Sequence, residues 1–199
     1  LSFDYLNAER RTQNAERRTG LIKLRLYVFG CVQLSLKDVC KIKNGSDWKL
    51  YNKGDIPVYG SGGIITHIDT FAYDKPTVLI PRKGSVDKLY YTDQPFWNVD
   101  TIFYTVIDEQ IIIPKYLFYL LQSKHLEQYN KSGGVPSLTQ DVLNRIVLDI
   151  PSLEEQRRIV SILDKFNKLC NDFASGIPAE IEAIQKVYEY HRNKLFSFK

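Results

Sequence analysis

Ile146-Val-Leu-Asp-Ile150 runs directly into Pro151-Ser-Leu-Glu-Glu-Gln-Arg-Arg-Ile159, and this junction decides the fold. The first run is short and rich in aliphatic residues, which predicts a buried strand. In the second run Ser152 is a suitable N-cap and Glu155 occupies the capping-box position, which predicts the start of a helix. A strand-built domain is therefore expected to end at about Ile150, with a helical region from Pro151 onward.

Apolar residues continue along that helical region at alternating intervals of three and four. They occur at Ile159, Ile162, Phe166, Leu169 and Phe173, and resume after Pro178 at Ile181, Ile184, Tyr188, His191, Leu195 and Phe198. This spacing predicts a heptad seam on two helices joined by a short break, with Pro178 opening the second. The second helix, of about 21 residues, would be about 32 Å long. His191 lies on the seam, where a buried polar side chain would fix the register of pairing.

The N-terminal residues 1–27 also have a seven-residue period. Leu6-Asn-Ala-Glu-Arg-Arg-Thr12 is almost repeated as Gln13-Asn-Ala-Glu-Arg-Arg-Thr19. The repeat predicts another coiled-coil helix, which Gly20 is expected either to end or to interrupt. A helix thus enters the middle domain and another leaves it, and antiparallel pairing of the two is the simplest expectation.

The middle region, residues 28–150, alternates short strand patterns with turn signals. Strands are predicted at Ile56–Tyr59, Thr77–Ile80, Lys88–Thr92 and Thr101–Ile107. A helix is predicted over Lys115–Lys124, and a shorter one over Ser137–Leu143 with Ser137 as its cap. Phe96 and Trp97 are expected in the core. The predicted class is α+β, a mixed-sheet domain over 28–150 flanked by long antiparallel coiled-coil helices over 1–27 and 151–199.

Composition and charge narrow the functional classes. Hydrophobic residues make up 44% of the chain, which suits a folded protein, and no apolar run is long enough to span a membrane. Three widely spaced cysteines favour free thiols in a reducing cytoplasm. Residues 30–150 carry thirteen basic and thirteen acidic groups, so charge alone would not hold this domain on DNA.

Enzyme signatures are weak in this sequence. Gly60-Ser-Gly-Gly63 lacks the Gly-Lys-Ser/Thr that follows in a nucleotide-binding loop, and neither a Gly-x-Ser-x-Gly elbow nor an adenine methyltransferase motif is found. Asp108 with Gln122-Ser-Lys124 resembles a nuclease set only loosely, because a second acidic ligand is missing. A non-catalytic protein is therefore predicted, with a coiled-coil assembly adaptor as one open alternative.

An ordered series of motifs resembles the specificity subunits of type I restriction–modification enzymes. The motifs are Leu36–Cys40, Ile56–Gly63, Pro81–Ser85, Phe96–Thr101, Lys115–Leu121, Gly133–Leu138, Ile150–Ile159 and Pro178–Arg192. Each is weak alone, and the ordered set is specific. The resemblance implies a target recognition domain followed by spacer helices. Leu1-Ser-Phe3 is similar to Phe196-Ser-Phe198, which suggests the second, C-terminal repeat of a full subunit.

The resemblance also implies the partners and cofactors. Double-stranded DNA would be recognised as one half of a bipartite target, and methyltransferase subunits would dock on the helices and bring restriction subunits into the complex. Cofactors would belong to those partners and none to this chain. Self-pairing through the helices remains possible, and no membrane is implicated. Residues expected to face a partner helix or subunit are Ile181, Ile184, Tyr188, His191 and Leu195.

Candidate DNA contacts lie in four segments. Arg82, Lys83, Gly84 and Ser85 form a predicted loop whose cations could reach guanine or phosphate, although an ordinary charged turn fits equally well. Ser61, Gly62 and Gly63 form either a tight turn or a phosphate-facing loop. The other candidates are Lys43, in a lysine cluster that could also be merely solvated, and Gly133, Gly134, Thr139 and Gln140. The last four lie in a loop and short helix that could present polar groups to base edges, although a plain loop and cap fits at least as well.

Overall fold

The computed structural model describes residues 3–129, 137–173 and 178–197. The helices are α1 (Phe3–Phe29), α2 (Leu36–Val39), α3 (Pro114–Ser123), α4 (Gln140–Asn144), α5 (Leu153–Phe173) and α6 (Pro178–Leu195), with a 3-10 helix over Leu126–Tyr129. The strands are β1 (Cys31–Ser35), β2 (Cys40–Lys43), β3 (Lys53–Gly60), β4 (Gly63–Ile68), β5 (Thr77–Pro81), β6 (Tyr90–Thr92), β7 (Trp97–Asn98), β8 (Ile102–Ile107) and β9 (Val147–Pro151).

Helix α1 is continuous through Gly20, which neither ends nor interrupts it. It ends instead at Gly30, whose φ of +71° suits glycine and whose N–H donates to the Leu26 carbonyl at 2.9 Å. Ile22 and Leu26, one turn apart, are buried in the main core. The C-terminal part of α1 is thus anchored to the domain that follows it.

The nine strands found among the described residues form three small sheets. β1 pairs with β9, four antiparallel strands follow the order β2-β8-β5-β6, and three follow the order β4-β3-β7. The β3–β7 pair is parallel, which makes the sheet structure mixed, as the sequence predicts. Strand β5 is buried along its whole length, because Val78 and Ile80 face the main core while Leu79 faces a second cluster.

That second cluster fills the other face of the four-stranded sheet. Phe96, Leu79 and Ile102 form its centre, and four partly buried tyrosines surround it: Tyr59, Tyr73, Tyr90 and Tyr104. Trp97 belongs to a third, smaller cluster with Val58 and Ile68. Phe96 and Trp97 are only 0% and 8% exposed, which confirms their predicted place in the core.

Helices α5 and α6 pack against each other and against α3. The ring of Phe166 stacks on His191 with 5.9 Å between centroids. Because only residues 174–177 separate the two helices, this contact means that α6 runs back along α5. The predicted pairing of α1 with the C-terminal helices is not seen as substantial packing in the described residues, since α1 packs mainly on β1.

Three local predictions differ from the structure. The short helix begins at Gln140, not Ser137, and Thr139 caps it by accepting from the Val142 N–H at 3.3 Å. His191 is exposed where a buried polar residue was predicted, because its neighbour Arg192 takes the buried position. Predicted strand Lys88–Thr92 shortens to Tyr90–Thr92 because residues 85–89 form a turn.

Among the described helices, none combines the length and apolar character that a membrane span requires.

Candidate nucleic-acid interface

The β3–β4 hairpin ends in a two-residue turn made by Ser61 and Gly62. Gly60 and Gly63 form the closing pair, and Gly63 has a φ of +116°, which side-chain-bearing residues rarely adopt. The turn therefore places bare backbone at the tip of the hairpin. Of the two alternatives open from sequence, the tight turn is present, and a turn of this kind can still approach a phosphate closely.

The β5–β6 loop lies beside this turn. Gly84, with a φ of +77°, bends the loop so that a Cβ on it would lie 4.0 Å from the Ser61 hydroxyl. The Val86 N–H donates to the Gly84 carbonyl at 2.8 Å and closes the bend. Two segments about twenty residues apart in sequence thus meet at one end of the two larger sheets.

Thr101 joins the hairpin turn and the loop. Its hydroxyl accepts from the Ser61 N–H at 3.4 Å, and its carbonyl accepts from the Arg82 N–H at 2.8 Å. The Tyr90 hydroxyl donates to the Ser61 carbonyl at 3.2 Å. Burial, followed by the nearby Asp87 carboxylate, raises the pKa of Tyr90, so its hydroxyl stays protonated as a donor. Sequence reasoning missed both residues as site components, although Thr101 ends one of the quoted motifs.

The segment from Ser137 to Gln140 lies against the same loop. Lys83 and Ser137 form an antiparallel bridge, and the Leu138 N–H donates to the Arg82 carbonyl at 2.9 Å. Beyond them, the Gln140 amide donates to the Asn44 side chain at 3.2 Å, directly after Lys43 at the end of β2. All four candidate segments therefore converge. Gly133 and Gly134 lie outside the described residues.

The side chains within this surface differ in what they can offer a ligand. Arg82 is half-buried, and its guanidinium lies over the Phe103 ring, 5.7 Å from the ring centroid. Lys43 and Lys83 are exposed, and neither is in an ion pair with another described residue. The Thr139 hydroxyl is occupied as a helix cap and the Gln140 amide is bonded to Asn44. Two lysines and bare glycine backbone are the groups most available to an anion.

The helical candidates are divided between packing and exposure. Tyr188 and Leu195 pack against the main core, His191 stacks on Phe166, and Tyr190 is 62% exposed. The side chains of Ile181 and Ile184 lie outside what the structure describes. Tyr190 and the half-exposed Val187 are the large hydrophobic side chains on the described part of α6 that remain open to a partner.

The site shows no arrangement for metal chemistry. Within residues 3–129, 137–173 and 178–197, no group of three or more His, Cys, Asp or Glu side chains could hold a metal ion. The geometry supports binding through backbone and lysine groups.

Comparison with known proteins gives a consistent match. Residues 31–183 match the model of the type I restriction modification DNA specificity domain. The specificity subunit of the type I restriction enzyme MpnII from Mycoplasma pneumoniae is 32% identical over 171 residues, covering 82% of this chain and 52% of that protein. The EcoR124I/EcoR124II specificity subunit of Escherichia coli is 42% identical over 97 residues, covering 47% of this chain and 24% of that protein.

A solved structure has the same fold. The type I restriction-modification S subunit from M. genitalium superposes with a TM-score of 0.63 at 17% identity, covering 73% of this chain and 41% of that one. The chain thus spans about half the length, or less, of these three relatives.

Proposed function

The chain belongs to the type I restriction modification DNA specificity family, and from this premise we propose that it recognises one half of a bipartite DNA target. Members of this family are non-catalytic specificity subunits. In this proposal the bound chain directs the methyltransferase and restriction subunits of a type I enzyme to its target.

The convergence of four loop segments is the observation that carries the proposal. The hydrogen bonds of Thr101 and Gln140 bring these segments together; they are Ser61–Gly63, Arg82–Ser85, Ser137–Gln140 and the end of β2. Phosphate contacts fix the register of a protein on DNA, and base contacts give specificity. Lys43, Lys83 and the glycine turn suit the first role. A domain of this size would cover a half-site of about three to five base pairs, most simply in the major groove.

The helices supply the surface for partners in this proposal. α5 and α6 form a packed pair on the side of the domain formed by α3, and Tyr190 on α6 is exposed. We assign this pair to the methyltransferase subunits and keep self-pairing of the chain through α1 as a further expectation. Cys31 and Cys40 are free thiols, which supports a reducing cytoplasmic location.

One experiment tests DNA recognition with a matched control. Lys83 and Lys75 are both exposed, and they flank opposite ends of strand β5. In the full subunit assembled with its methyltransferase subunits, Lys83→Ala should weaken target binding several-fold and lower the salt slope by about 0.9, the value for one phosphate contact. Lys75→Ala should leave both unchanged.

Two outcomes would count against the proposal. The first is a wild-type complex that shows no sequence preference at moderate salt. The second is an equal effect of both lysine substitutions, which would mean that the loop end of β5 has no special role. The alternative of an assembly adaptor without DNA recognition predicts the first outcome, and no feature of the structure or the comparisons favours it.

The duplicated heptad in α1 allows the proposed spacer role of this helix to be tested through its length. α1 is helical across Gln13–Thr19, so deleting these seven residues removes about 10 Å of helix. If α1 belongs to the spacer, the gap between the half-sites of the full subunit should shorten by about 3 base pairs. Methylome sequencing of cells that carry the deleted system measures the gap. An unchanged gap would exclude Gln13–Thr19 from the spacer.

A further inference from the structure

Ile64 and Ile65 are exposed side by side at the start of β4. Their exposed fractions are 54% and 55%, although β-branched aliphatic side chains normally mark the buried face of a strand. β4 is an edge strand, since the order of its sheet is β4-β3-β7. An exposed aliphatic edge promotes unwanted association, so a protein that keeps one is expected to cover it in its working state.

A bulge sets the position of this pair. Tyr59 pairs with Ile64 and Val58 with Thr66, so Ile65 is the extra residue on the bulged strand. Bulges redirect side chains and are common beside functional sites. Gly60 completes the arrangement, because a Cβ at Gly60 would lie only 2.7 Å from the δ-methyl of Ile65. The Ile65 side chain therefore lies directly over a glycine.

The surroundings of the pair point to its occupant. Ile64 follows the Ser61–Gly63 turn immediately, and that turn adjoins the Gly84 loop next to the exposed Lys83. β3 is paired with β7 on its other side, so the free parts of this sheet are the β4 edge and the tip of the hairpin. Two paired strands lie about 4.8 Å apart, so an edge and tip of this width fit a major groove about 12 Å wide. Within that groove the C5-methyl of thymine is the apolar group that base edges present.

We infer that the tip and the β4 edge of the β3–β4 hairpin enter the major groove and that Ile64 and Ile65 contact thymine methyl groups there. The inference rests on the proposed function and adds two specificity-determining residues to it. The glycine turn allows close approach at the tip, Lys83 is placed to reach the adjoining backbone phosphate, and the isoleucines select A·T pairs.

The test removes the same contact first from the DNA, by replacing thymine, and then from the protein, by replacing the isoleucines. The full subunit with its methyltransferase subunits is bound to duplexes that carry its target, determined by methylome sequencing, with each thymine of this half-site replaced in turn by uracil. Uracil differs from thymine by the lost methyl group. At one or more positions the wild type should bind uracil about four-fold more weakly, the value for one buried methyl-sized group.

The Ile64→Ala, Ile65→Ala double variant should bind thymine and uracil duplexes equally. Val147→Ala, which truncates another half-exposed strand residue on the separate β1–β9 sheet, is the matched control and should keep the wild-type preference. Gly60→Ala offers a second variant that displaces Ile65 without truncating it. Its backbone needs no positive φ, and it should reduce the preference in the same direction.

Three results would overturn the inference while the proposed function stands. They are uracil sensitivity that the double variant retains, a half-site without any A·T pair, and an effect of the substitutions on oligomeric state alone. A wild-type complex without sequence preference would instead remove the proposed function itself.

Discussion

Gln156 holds together the junction where β9 passes into α5, and its replacement gives the sharpest stability test. The side chain is completely buried. Its amide donates to the carbonyls of Ile111 and Pro151 at 3.0 and 2.9 Å, and its oxygen accepts from the Ile113 N–H at 2.8 Å. One side chain thus links the last strand, the first turn of α5 and the residue that precedes α3.

Gln156→Leu keeps the approximate volume and removes all three hydrogen bonds. Each buried group left without a partner costs about 1–3 kcal/mol, and a carbonyl can recover part of that cost through its second lone pair. The expected loss in the free energy of unfolding is therefore about 3–5 kcal/mol, a large part of the 5–15 kcal/mol typical of a domain.

Urea denaturation followed by the fluorescence of Trp48 and Trp97 measures this loss. With a slope of about 2–3 kcal/mol/M, the midpoint should fall by about 1.5 M. Gln110→Leu is the control, because Gln110 is exposed and its long contact with Lys23 is on the surface. If the two variants differed by less than about 0.5 kcal/mol, Gln156 would not be the link that the geometry indicates.

Three further predictions concern local stability. Burial raises the pKa of Asp38, but hydrogen bonds from Ser35 and the charges of Arg18 and Lys37 lower it more, so the net pKa is depressed. The stabilisation that the Asp38 carboxylate gives the fold is therefore present above its usual pKa of about 3.9 and is lost as the pH falls through the folded pKa. Asp38→Asn should cost about 1 kcal/mol of unfolding free energy at pH 7, measured by thermal melts. A difference between wild type and variant that stayed constant down to pH 2 would contradict this. A Cβ on Gly45 would lie 2.2 Å from the Val99 carbonyl oxygen, whereas a Cβ on Gly62 would meet nothing within 4 Å. Gly45→Ala should therefore lower the free energy of unfolding by about 1–3 kcal/mol, and Gly62→Ala by less than about 0.5 kcal/mol. Equal losses for the two variants would refute this. His125 has a φ of +47°, which glycine adopts more readily. His125→Gly should therefore gain about 0.5–1 kcal/mol and raise the Tm by about 1–4 °C, and a lowered Tm would show that the side chain stabilises the loop.

Patterns that are local in sequence were predicted well. Thr77–Ile80 lies within β5, Thr101–Ile107 matches β8 closely, and Lys115–Lys124 overlaps α3 with Pro114 at its first position. These segments have one dominant period and clear turn residues at their ends, so neighbouring residues suffice to define them. The match of the chain to specificity subunits likewise followed from motifs read in order.

Features that depend on distant residues were not predicted. β1, β2 and β7 were missed because each is short and its pairing partner lies far away in the chain, as β1 with β9 shows. β4 pairs with the adjacent β3, and the bulge at Ile65 breaks the alternation by which a strand is recognised in sequence. The cap of α4 moved from Ser137 to Thr139 because Ser137 is engaged in a bridge with Lys83. The contact of the Arg82 guanidinium with the Phe103 ring was not predicted either, because Phe103 lies on a later strand. The DNA-contact residues themselves stay predictions.

The pairing of Cys31 with Pro151 brings the two ends of the strand-built domain together. One residue separates α1 from β1 and one separates β9 from α5, and the two strands lie side by side in register. The Cα atoms of opposed residues in such a pair lie about 4.5–5.5 Å apart, so the chain enters and leaves the domain at neighbouring points. A domain that replaced residues 31–151 would therefore need only two adjacent strand ends to join the chain, but it would also need surfaces like those of α3 and the main core for α1, α5 and α6 to keep their positions.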